Sequence, residues 1–410
     1  MNLEKKNVIW NIIGATANAF NSLLFAIITT RINGITDAGI FSFAFSFACW
    51  FYVIGVYSGR VFQVTDRTGK SSDTDYIYNR IFTCIIMIIC AVLFCIIKKY
   101  DIYKFGIITI LCLFKVVEAF SESIYAVIQK NEQLYKVGIS LFLKAVIAVT
   151  TFLIIDYVTK NLIISCISIV IVNILILIIY DISNIKKLKV VKTKFTKEAN
   201  MNILKTGVFA FGLNFISIYL INASRYAIDD LLEADMQTIY GIILMPATFM
   251  GLLGQYIIQP AITKISNYIK TENYQKLKNV IIKLISIMFS FGIVVFIIAY
   301  LLEIPVLQTV YGVELKPYFT SAMVIIAGSV FYGTSIIISF TLIAMRKTLS
   351  QVIIYGICAI GSTIIAYKFV EVKQIMGASI TYTITMIAVV VLFVFVLLNE
   401  LMNYKKIGEK

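Results

Sequence analysis

The feature that most constrains this chain is a succession of about twelve apolar runs, each roughly 18 to 25 residues long. At 1.5 Å per residue a helix of that length crosses roughly 30 Å of hydrocarbon, where only a helix or a closed barrel satisfies every backbone group. Barrel strands would be about half as long and would alternate polar and apolar residues, a pattern these runs lack. Composition agrees, with 60% hydrophobic and only 14% charged residues, outside the roughly 45–50% apolar content of globular proteins. The chain therefore reads as an all-α polytopic membrane protein.

Apolar runs read against charged breaks place six spans at roughly 8–30, 38–59, 81–97, 105–128, 137–155 and 162–182. Six more fall at roughly 203–228, 239–258, 280–302, 318–344, 352–367 and 375–398. With the N-terminus inside, the even-numbered connections and both termini carry roughly 23 Lys/Arg, against about 8 on the opposite side. That bias predicts both termini on the cytoplasmic face. The connection with Lys186, Lys187, Lys189, Lys192, Lys194 and Lys197 supplies much of the excess, while the outer loop with Asp229, Asp230, Glu233 and Asp235 is purely acidic. The net charge of +14 is thus topological, and no nucleic-acid partner is expected.

Lys5 and Lys6 lead into an apolar stretch too long for a signal-peptide core, so no cleavable signal is expected. With no histidine in the chain, a histidine triad or proton relay is excluded, and any proton coupling must use carboxylates. The seven cysteines lack CxxC spacing and read as small apolar filler, without a metal site or cofactor.

The basic connection divides the chain into two expected domains, a six-helix bundle over 1–200 and another over 201–410. Each opens with a polar helix. The first carries Asn11, Thr16, Asn18, Asn21, Ser22 and then Arg31; the seventh carries Thr206, Asn214, Ser217, Asn222, Ser224 and then Arg225. This correspondence suggests a parallel internal repeat with polar faces turned to a cavity, because lipid would penalise them. After spans two and eight, the mixed segments 60–80 (with Asp66, Arg67, Lys70, Asp73 and Asp75) and 263–278 read as surface-lying amphipathic helices.

Ionisable residues inside spans are functional candidates by default. Lys115, Glu118 and Glu122 share one helical face in the fourth span, Lys144 lies in the fifth, and Arg225 precedes Asp229 by one turn in the seventh. One reading is a basic cavity lined by Arg31, Lys115, Lys144 and Arg225 that attracts an anionic head group, with Glu118, Glu122 or Asp229 available for coupling to Na+ or H+. The other reading is mutual neutralisation of Lys115 with Glu118 and of Arg225 with Asp229, with Arg31 snorkelling to the interface. Asp156 reads as interfacial. Pro246 lies inside the eighth apolar run as a candidate hinge, and Pro305 and Pro317 flank the outer loop before span ten.

Several segments, in order, resemble the Wzx-type polysaccharide flippases of the multidrug/oligosaccharidyl-lipid/polysaccharide (MOP) exporter superfamily. They are Arg60-Val-Phe-Gln63-Val-Thr65-Asp66 with Asp75-Tyr76 and Arg80; Glu118 through Gln129; Asn222-Ala-Ser-Arg225-Tyr226-Ala227-Ile228-Asp229; Tyr240-Gly241-Ile242 with Met245-Pro246; and Pro305-Val306-Leu307 with Tyr311-Gly312 and Leu315. The resemblance implies two six-helix bundles in the bacterial cytoplasmic (inner) membrane and flipping of an undecaprenyl-diphosphate-linked oligosaccharide for O-antigen or capsule synthesis. It further implies a polysaccharide polymerase and chain-length machinery as partners beside the membrane lipids.

Three alternatives are weighed against it. Drug or lipid II exporters of the same superfamily share the architecture. A major-facilitator solute carrier would also give twelve spans, but the glycine its loop expects ahead of Asp66-Arg67-Thr68-Gly69-Lys70 is missing. A membrane polymerase or ligase would need a sizeable outer loop, and no expected outer loop exceeds about 15 residues. The chain is accordingly read as a transporter and not an enzyme.

Overall fold

The computed structural model describes residues 2–57, 59–65, 71–188 and 196–408, and among these every regular element is helical. Among the described residues, ten helical segments are long and apolar enough to cross a membrane. One of them, Thr348–Met402, holds two helices that meet at Gln374, whose φ of 47° is not helical. Helix α5 (Ile102–Lys130) is absent from the ten, because Lys115, Glu118 and Glu122 interrupt its apolar run. Counting α5, and the kinked segment as two, gives the twelve spans expected.

The chain forms two compact units, Met1–Phe215 and Ile216–Lys410. Unit 1 contains α1 (Leu3–Ile32), α2 (Ile35–Val56), the short α3 (Gly59–Thr65), α4 (Asp73–Ile97), α5, α6 (Leu134–Thr159) and α7 (Leu162–Ile176). A π-helical turn, Leu177–Ile182, and a last short piece, α8 (Ser183–Ile185), continue α7. The division between units falls inside α9 (Lys197–Leu231), because the first half of that helix docks on unit 1. There Trp50 donates to the carbonyl of Phe215 at 3.1 Å and Tyr57 to that of Leu204 at 3.0 Å, with Tyr57 stacked on Phe211.

Lipid tails are as apolar as leucine, so spanning helices associate through close packing and not through the hydrophobic effect. In unit 1 that packing comes from two devices. Glycines at positions 14 and 138 let α1 and α6 touch along their backbones, and a cluster of Phe25, Phe41, Phe114 and Phe152 fills the space between α1, α2, α5 and α6.

Unit 2 holds α10 (Ala234–Ile243), α11 (Met245–Ile258), α12 (Ile262–Lys270), α13 (Tyr274–Tyr311), α14 (Phe319–Ala344) and the kinked α15 (Thr348–Gly408). Its pairings repeat those of unit 1: the second span packs on the fourth, the third on the fourth and the second on the third, as α2, α4 and α5 or as α11, α13 and α14. The short helix after each second span, α3 or α12, also packs on the fourth.

Two local expectations change. Helix α4 starts at Asp73, well before the expected 81, because Ser72 and Asp75 form a reciprocal cap: the Ser72 hydroxyl accepts from the Asp75 amide and the Asp75 carboxylate from the Ser72 amide. Asp73, Asp75 and Arg80 therefore lie in a spanning helix, while Asp66, Arg67 and Lys70 lie outside the described residues. Pro305 does not flank a loop, because α13 continues through it to Tyr311 and ends at Gly312 with a left-handed φ of 73°. Asp156, in the last turn of α6, is fully buried and accepts from Ser165 at 2.7 Å and Asn33 at 3.2 Å. Of the basic connection, Lys186, Lys187 and Lys197 are described, whereas Lys189, Lys192 and Lys194 are not.

Candidate functional site

The polar interior of unit 1 is built on three helices. Lys144 of α6 is buried and donates to the Ser121 hydroxyl at 2.6 Å, the Tyr125 hydroxyl at 3.0 Å and the Asp181 carboxylate at 2.6 Å. All three ammonium protons are thereby used. Ser140 donates to the other oxygen of Asp181 at 2.6 Å and lies 2.8 Å from the Tyr125 hydroxyl. Because Ser140 gives its proton to Asp181, Tyr125 is the donor to Ser140, and the hydrogen bonds close into a ring from Lys144 through Tyr125 and Ser140 to Asp181. Asp181 is carried by the π-helical turn, a widened i to i+5 geometry that is frequent at functional sites.

Beside this ring, Lys115 meets Glu118 at 2.7 Å and lies over the Phe45, Tyr52 and Phe114 rings at 4.8 to 5.8 Å. Glu122 is 3.4 Å from Arg60 of α3. A small cavity of about 40 Å³ is lined by Asn18, Tyr52, Glu118, Ser121, Glu122, Tyr125, Leu141 and Lys144. A water needs roughly 10–15 Å³ on this measure and a drug-sized ligand site has roughly 300–1,000 Å³. In this conformation the space suits a few waters or a small ion, not a sugar head group.

Among the sequence candidates, Lys144, Glu118 and Glu122 thus surround one cavity, with Lys115 behind Glu118. Arg31 is exposed in the last turn of α1, about 20 Å along the helix from Asn18 at the cavity wall. Arg225 and Asp229 belong to unit 2. There the buried Arg225 lies 6.0 Å from the Tyr240 ring centre and accepts at its carbonyl from Gln237 at 2.6 Å. Asp229 is half-buried one turn along α9, and its neighbour Asp230 accepts a short hydrogen bond from Tyr367. Pro246 opens α11 directly after the break at Leu244, where the eighth span changes from α10 to α11.

Sequence reasoning missed Asp181 and Arg60 as partners. The signal for Asp181 was available: Lys144 has no acid one turn away on its own helix, so its partner had to come from another.

No family model matches the sequence, and no curated protein does. Solved structures do match, over nearly the whole chain. An inward-facing multidrug resistance MATE family transporter of the MOP superfamily aligns with a TM-score of 0.70 at 12% identity, covering 97% of this chain and 99% of the other. The lipid II flippase MurJ, in an inward closed conformation, aligns with a TM-score of 0.64 at 14% identity, covering 96% and 90%. A MOP superfamily transporter from Pyrococcus furiosus aligns with a TM-score of 0.61 at 14% identity, covering 99% and 97%. The chain has the MOP-type fold.

Proposed function

We propose that this protein is a flippase that moves a polyprenyl-diphosphate-linked oligosaccharide across the bacterial cytoplasmic membrane for assembly of a surface polysaccharide such as O-antigen or capsule. The observation that carries this reading is the concentration of Arg60, Lys115, Glu118, Glu122, Lys144 and Asp181 inside unit 1 of a MOP-type fold. On insertion scales each charge at the centre of a spanning helix costs about 2.5–3.5 kcal/mol. Such groups are kept where a polar cargo or an ion must pass.

The sequence motifs around Arg225–Asp229 and Tyr240–Pro246 add to the reading, and the similar fold of a lipid II flippase supports a lipid-anchored cargo. Lys144 has no donor left for a phosphate in this conformation, so it reaches cargo only after parting from Asp181. Translocation follows an alternating-access cycle in which the charged interior opens to one face and then to the other, with Glu118, Glu122 or Asp229 coupling it to H+ or Na+. A polymerase and chain-length machinery then consume the delivered units.

The test is reconstitution into vesicles that carry polyprenyl-diphosphate-linked oligosaccharide in one leaflet, with a soluble lectin reading its arrival in the other. Lys115→Ala and Lys144→Ala are expected to slow arrival; unchanged rates would remove the charged interior from the mechanism. The multidrug transporters among the similar folds favour drug export as the second reading. Vesicles that extrude a cationic dye but leave the glycolipid in place would establish it.

A further inference from the structure

Glu303 lies near the C-terminal end of α13, is 8% exposed, and has no hydrogen-bond partner on either carboxylate oxygen. It belongs to the buried face of α13 together with Met288, Gly292, Ala299 and Tyr311, whereas its neighbours Tyr300, Leu301, Leu302 and Val306 each expose half or more of their surface. The carboxyl group therefore points into the protein.

What it meets there gives neither oxygen a hydrogen bond. Helix α13 packs mainly against α14 and also against α11, and neither contains an Asp, Glu, Lys or Arg; their titratable side chains are Tyr332 and Tyr256. Helix α12 offers Lys264, Tyr268 and Lys270, and α15 offers Lys368, Glu371, Lys373 and Glu400 with Tyr355, Cys358, Tyr367 and Tyr382. Tyr311, two turns further along the same face of α13, gives its proton to the sulfur of Met245 at 2.9 Å. None of these groups hydrogen-bonds to Glu303. An ionised carboxylate in such a place costs several kcal/mol, whereas the neutral acid costs no more than an unmade hydrogen bond.

We propose that Glu303 is a proton-binding site, occupied in the conformation described, which releases its proton when a change of conformation admits water. The O–H bond breaks heterolytically, the proton passes to water and the carboxylate keeps the electron pair. That this proton is linked to cargo movement rests on the transport reading; that the site is protonated does not.

Infrared spectra of the reconstituted full chain at neutral pH test the site directly. A protonated-carboxyl C=O band is expected in the wild type, shifted by labelling with 13C-glutamate and absent from both Glu303→Gln and Glu303→Met. A wild-type spectrum without a glutamate-shifted band overturns the proposal even if neither variant folds, and so does a band that persists in the variants. In glycolipid-loaded vesicles, wild-type flipping that responds to a pH gradient and a Glu303→Gln variant that does not would support the link to transport. Wild-type vesicles that flip nothing would count against the transport reading and leave the infrared result standing.

Discussion

A Cβ atom added to Gly14 would lie 2.2 Å from the carbonyl oxygen of Gly138, and one added to Gly138 would lie 2.1 Å from that of Trp10. Both obstacles are backbone atoms, which cannot turn aside as a flexible side chain does. The two glycines are therefore what allows α1 and α6 to approach as they do.

Gly138→Val is accordingly expected to lower the stability of the protein by about 1–3 kcal/mol or more through overpacking. Thermal unfolding in detergent reads this, and Gly106→Val, where a Cβ meets nothing within 4 Å, is the control. Equal melting of the two variants would contradict the close approach.

Asp181→Leu leaves the buried Lys144 without its counter-charge, a loss of about 3–5 kcal/mol for a buried pair. The double variant Asp181→Leu/Lys144→Met removes both charges and is expected to recover most of that loss. Additive losses in the double variant would show that the two residues act independently.

The orientation argued from the lysine distribution can be read by labelling single cysteines in a cysteine-free background. An impermeant maleimide added outside is expected to modify Glu233→Cys and to spare Lys187→Cys, both exposed positions. The opposite pattern inverts the topology.

Pro246 removes the amide that would otherwise bond across the α10/α11 break. Pro246→Ala is expected to leave the fold intact, to strengthen the joint by about 0.5–1.5 kcal/mol for one regained hydrogen bond, and to slow flipping. A variant that flips at the wild-type rate excludes a hinge at this position.

The order of the spans was legible because length and apolarity dictate it wherever water is absent, and the acids Glu118 and Glu122 stood out against so apolar a background. The start of α4 was misread because Asp73, Asp75 and Arg80 look like loop residues until the Ser72–Asp75 cap is recognised. Asp181 and Glu303 were missed for a common reason. Each lies at the edge of an apolar run, where charge usually marks the water interface, and only contacts between helices reveal that both are buried. The partner of Lys144 is far away in sequence, so no helical periodicity could announce it.

The charges on α5 also bear on how the protein is made. A helix with Lys115, Glu118 and Glu122 in its middle is a poor substrate for release into lipid by itself, since each uncompensated charge there costs about 2.5–3.5 kcal/mol. Lys115 and Glu118 offset each other within the helix, but Glu122 faces Arg60, which is synthesised earlier, and Ser121 and Tyr125 bind Lys144, which is synthesised later. Stable integration of α5 therefore depends on α3 being in place beforehand and on α6 following promptly, so a nascent chain halted between Lys130 and Leu134 holds an unsettled fourth span.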